Sequence, residues 1–84
     1  MNNDIIEVIQ SNDLLTMDGY DDCIIGIGYR AGNNDPYVVY DTKKIIHKLM
    51  NGGMSYHQAV EFHEFNQSSA WLGDKTPGFV DTFE

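Results

Sequence analysis

His57, Glu61 and Glu64 stand four and then three residues apart. On a helix, that spacing stacks the three side chains along one face. An imidazole with two carboxylates so placed could grip a divalent cation. The pattern is not H-E-x-x-H and brings no fourth ligand, so a solvated polar face accounts for it equally well. The expectation is no metal site.

Three other patterns touch on chemistry. Gly26-Ile27-Gly28 has the glycine spacing that begins a phosphate loop. A working loop leaves a strand and opens a helix, whereas these glycines sit inside a strand and no Lys-Ser or Lys-Thr follows. Two glycines on one strand face instead leave a flat patch where something can pack closely. The acids of Asp18-Gly19-Tyr20-Asp21-Asp22 lack the spacing and the bidentate Glu of a calcium loop. Cys23 would need a neighbouring base, His47 or His63, to act as a nucleophile. A lone Cys opening an apolar strand is more often a small core residue. No catalytic constellation is complete. The expectation is a protein that is not an enzyme, with no catalytic residue and no cofactor.

The elements that position these residues can be read from periodicity. Ser55 opens a helix, with Gln58 three residues on to complete a capping box. Tyr56, Ala59, Val60, Phe62, His63, Asn66, Ala70 and Trp71 then share one broad face. Gly73 and Pro77 stop it, and Ser68-Ser69 is a point where it loosens. Asn66 lies mid-arc, so a hydrogen-bond partner is required. The backbone of the Gly73–Phe79 turn is one candidate, and a ligand or partner protein the other. Phe65 lies about 120° from Trp71 on the wheel, and Leu72 is also off the apolar face. Phe65 and Leu72 therefore face a second surface, either a homodimer seam or a C-terminal segment around Phe79 folded over it.

Upstream, Cys23–Arg30 reads as a strand, with Ile25, Ile27 and Tyr29 on one side and Ile24, Gly26 and Gly28 on the other. Tyr37–Tyr40 returns as its hairpin partner. Asp41 or Thr42 caps a short helix with Ile45, Ile46, Leu49 and Met50 as its buried stripe, ended by Gly52 and Gly53. Ile5, Ile6, Val8 and Ile9 fit either helical turns or a short strand. The fold expected is α+β. It is a single domain over 1–84, a hairpin at about 23–40 with helices at about 42–51 and 56–72 packed on one face.

The chain has 84 residues and a formal charge of −8. Residues 1–42 carry eight of the acids against one base, Arg30. Phosphate binding needs a basic footprint, so no direct nucleic-acid ligand is expected. Asp13, Asp18, Asp21 and Asp22 cluster within ten residues, a patch suited to solubility or to steering a basic protein partner. A single cysteine permits no intrachain disulfide and fits a reducing compartment. No apolar run approaches the roughly 20 residues of a membrane span. The acidic start MNNDIIEVIQ reads as neither signal nor transit peptide.

The pieces Asp18-Gly19-Tyr20-Asp21-Asp22, Ile24-Ile25-Gly26, Val39-Tyr40-Asp41, Gly53-Met54-Ser55-Tyr56, Glu61-Phe62, Glu64-Phe65-Asn66, Ala70-Trp71-Leu72-Gly73 and Thr76-Pro77 recur in this order in a family of small bacteriophage proteins. The chain resembles that family over roughly residues 18–80, leaving 1–17 as a variable segment. It departs from the pattern at His57 and Gln58, where such proteins have acids, and at His63, where they have an aromatic. The resemblance implies a phage origin and the cytoplasm of a bacterial host, but no assigned activity. The function expected is a non-enzymatic interaction protein that binds a host or defence protein, with an acidic surface able to mimic nucleic acid. The partner-binding candidates are Asp13, Asp18, Asp21, Asp22, Phe65, Asn66, Trp71 and Leu72. A self-assembling homodimeric module and a small enzyme or nucleotide binder are the alternatives.

Overall fold

The computed structural model describes residues 3–29, 32, 35–68, 73 and 75–83. Trp71 and Leu72 lie outside them. In chain order come helix α1 (Asn3–Ser11), a 3₁₀ turn (Asp21–Cys23), strands β1 (Ile24–Tyr29) and β2 (Pro36–Asp41), helices α2 (Thr42–Asn51) and α3 (Tyr56–His63), a π turn (Glu64–Ser68) and strand β3 (Gly78–Val80). The architecture is α+β, as expected.

The Ile5–Ile9 segment, open between helix and strand on sequence, is helical. Ile5, Val8 and Ile9, spaced i, i+3 and i+4, pack against the core. The helix closes through the Leu14 N–H, which donates to the Ile9 carbonyl at 3.0 Å. Asp13 supplies the left-handed residue that this closure needs, with φ of 51°. Helix α2 ends in the same way. Met54 and Gly53 donate to the carbonyls of Leu49 and Met50, and Gly53 takes φ of 113°. At its start, the Lys43 N–H donates to the Asp41 carboxylate at 2.9 Å. Asp41 is buried, and its other oxygen accepts from the Thr82 hydroxyl, so one carboxylate caps a helix and tethers the segment after β3.

The sheet order is β1-β2-β3. β1 and β2 form the expected antiparallel hairpin, and β3 adds to the other edge of β2 in parallel. The register slips between Ile24 and Gly26, so Ile25 is an extra residue on β1. This bulge overturns simple alternation. Ile24 pairs with Tyr40 and Ile27 with Val38 on the core side, while Ile25 and Tyr29 are exposed. Leu14, Cys23, Ile24, Val38, Tyr40 and Ile45 form the buried centre. Met50, expected within the buried stripe of α2, lies at its exposed margin.

The Ser55 capping box is present in both directions, at 3.1 Å and 3.0 Å. Helix α3 buries Ala59 and His63, while Tyr56 and Phe62 are exposed. Its α geometry stops at His63, short of the expected residue 72, and passes into the π turn. A wider turn advances each side chain less per residue, so the helical wheel fails beyond this point. Asn66 is consequently exposed rather than mid-core. Its amide donates to the Phe62 carbonyl at 3.1 Å, not to the turn after Gly73.

Candidate interaction surface

The Phe79 ring lies 5.8 Å from Tyr40, stacked, and 4.8 Å from His63, edge to face. It sits under the helices, so it does not fold over Phe65, which is 77% exposed. His63 is buried, and its Nδ1 meets the Gln67 side-chain oxygen Oε1 at 2.9 Å. That oxygen can only accept, so Nδ1 donates. His63 is thus a packed and oriented core residue.

A groove of about 730 Å³ runs between α2 and α3. Ile46, Val60 and Phe79 give it apolar lining, and Lys43, His47 and Glu64 add charge and hydrogen-bonding groups. It closes on the side of the segment after β3, where the Lys43 ammonium lies 5.6 Å from the centre of the Phe83 ring. Nothing in the sequence pattern points to this groove, because its walls come from three separate segments, α2, the α3 region and the stretch from Phe79 to Phe83.

Cys23 is buried on the opposite flank of α2. Burial first, and then the Asp22 carboxylate beside it, push its thiol up from the ordinary value. The thiol donates to Asp22 Oδ1 at 3.7 Å. A protonated, buried thiol is a core group rather than a nucleophile. His47 lines the same shallow hollow as Cys23, and His63 does not. His57 Nε2 meets Glu61 Oε1 at 3.0 Å with both side chains largely in solvent. Among the described residues, no three His, Cys, Asp or Glu side chains gather as metal ligands.

Of the two glycines expected to form a flat patch, Gly28 is covered from within the chain, whereas a Cβ on Gly26 would meet nothing within 4 Å. A Cβ on Gly28 would lie 2.5 Å from Tyr37 Cζ, and one on Gly78 2.7 Å from Tyr37 Cε2. The Tyr37 ring therefore bridges β1 and β3 across the central strand.

The four clustered acids divide by environment. Asp13, Asp18 and Asp21 are exposed. Asp22 meets Lys48 Nζ through both oxygens at 3.2 Å. The Lys48 ammonium holds the Asp22 carboxyl below its ordinary range. Lys44, His47 and Lys48 stand at i, i+3 and i+4 on the exposed face of α2, next to the acidic turn. That basic stripe escaped the sequence reading, though its spacing opposite the Ile45-Ile46-Leu49 stripe was there to see. Among the described residues, no helix is long and apolar enough to cross a membrane.

Comparison with known families finds no family model that matches the chain, and comparisons with curated proteins and with solved structures return no match.

Proposed function

We propose that the protein acts by binding another protein, and that the partner brings a basic surface to the Asp13–Asp21 side of the molecule. The observation that carries this reading is the exposure of Asp13, Asp18 and Asp21 beside a neutralised Asp22. Three carboxylates left in water, on a stretch with no base of its own, focus negative potential that speeds encounter with a cationic surface. The motif resemblance supports a phage setting in a bacterial cytoplasm, and hence a host or defence protein as the target. A protein that normally grips nucleic acid has the required basic groove. Exposed Phe65 and Asn66 extend the candidate contact surface on another side.

The test is capture from bacterial lysate with the purified protein, followed by binding to the identified partner. Replacing Asp18 and Asp21 with Asn should weaken that binding about tenfold or more, and so should raising the salt. The melting temperature should hold or rise slightly, because like-charge repulsion is relieved. Binding that ignores both salt and the substitutions would leave the acidic side as a solubility device.

A further inference from the structure

The acidic turn and the basic stripe of α2 lie side by side on one surface. The Asp21–Cys23 turn packs against α2, and the Asp22–Lys48 pair marks the seam between them. On the acidic side, the Asp18–Gly19 turn projects outward. Gly19 has φ of 85°, and a Cβ there would meet nothing within 4 Å. On the basic side, Lys44, His47 and Lys48 border a shallow hollow of about 400 Å³, with Asp22 on its rim paired to Lys48. A negative knob therefore adjoins a positive hollow.

We infer that this surface docks a second copy of the chain. A two-fold axis lying in the interface along the Asp22–Lys48 seam carries the knob of each copy onto the hollow of the other. Such an isologous contact is made twice, so each local match counts double. Asp18 and Asp21 of one copy then face Lys44 and Lys48 of its partner. The charge of −8 on each copy does not prevent this. At physiological ionic strength, charges separated by more than about 8 Å are largely screened, so the facing lobes outweigh the distant acids. The inference stands apart from the partner proposed above, although a basic partner and a second copy would compete for the same two acids.

The experiment is sedimentation of the full chain at about 0.1 M and 1 M NaCl, with two charge-swapped variants, D18K/D21K and K44E/K48E. The dimer dissociation constant should rise about tenfold or more between the two salts. Each variant alone should be monomeric, because like lobes then meet. An equimolar mixture of the two should dimerise again, since every contact becomes acid against base. Recovery in the mixture is specific to this docking and would not restore binding of a basic partner. Circular dichroism of each variant checks its folding. If K44E/K48E unfolds through loss of the Asp22 pair, K44E with D18K gives the same mixing test with that pair intact. A wild-type monomer at all concentrations, a dimer indifferent to salt and to the swaps, or folded variants that fail to associate when mixed would each overturn the inference.

Discussion

The Tyr37 ring occupies the space that any side chain on Gly28 would need, since a Cβ there would come within 2.5 Å of Tyr37 Cζ. Gly78 meets the same ring from the other strand, so the ring has no easy sideways escape. Gly28→Ala should cost about 1–3 kcal/mol in urea denaturation, by overpacking. In a Tyr37→Ala background the same change should cost little, because the obstacle is gone. Equal costs in both backgrounds would mean that the ring yields freely.

Asp13 and Gly53 do the same work at the ends of α1 and α2, but only Gly53 has the residue type suited to it. An L-residue in the left-handed region is strained, with Asp and Asn among the less costly. Asp13→Gly should stabilise the protein by about 0.5–1 kcal/mol, and Asp13→Asn should be near neutral. Thermal melts of the two variants distinguish this backbone effect from removal of a charge. If the Asn variant gained as much as the Gly variant, charge repulsion would be the cause.

The Tyr40 hydroxyl accepts the Met17 N–H at 2.7 Å. Tyr40→Phe keeps the ring and its stacking on Phe79 but leaves that N–H without its acceptor. The expected loss is about 1–3 kcal/mol by chemical denaturation. Tyr40→Phe as stable as wild type would show that water replaces the hydroxyl.

Cys23 and Tyr40 both ionise later than usual, chiefly because they are buried. The folded chain therefore keeps two protons that the unfolded chain releases at the ordinary values of 9.0 and 10.0. Below pH 9 neither state has lost them and stability is fully present. As the pH climbs past 9.0 and then 10.0, only the unfolded chain gives them up, and the folded state is disfavoured. The denaturation midpoint should be flat near neutrality and fall in alkali. Cys23→Ala should delay the onset toward the Tyr40 range. A midpoint steady to about pH 11 would contradict both shifts.

The features that could be read from sequence are those settled within a few residues. Ser55 and Gln58, Asp41 before α2, and Gly52-Gly53 after it each act on their own turn of backbone, and each is found where expected. Ile25 could not be placed, because a bulge is defined by the opposite strand. Asp22 read as one of four unneutralised acids because its partner, Lys48, is 26 residues away. Asn66 departs from expectation for a third reason. The wheel presupposes α geometry, and the chain leaves it at Glu64. His63 looked available for chemistry until Phe79, contributed by β3, closed against it.

β3 meets β2 only after the chain has passed through both helices, so Val39 faces Gly78 across nearly forty positions. Closing so long a segment is entropically slower than forming the β1–β2 hairpin, whose ends are joined by a short connection. Its short run of parallel pairs has little to hold it once made. The third strand should therefore be the last to zip and the first to open, with its amides exchanging hydrogen well ahead of those between β1 and β2. Each opening would withdraw Phe79 from Tyr40 and His63, and would free Thr82 from Asp41. The third strand would then act as a breathing door beside the central strand, and its swing would set how long the aromatic centre stays sealed.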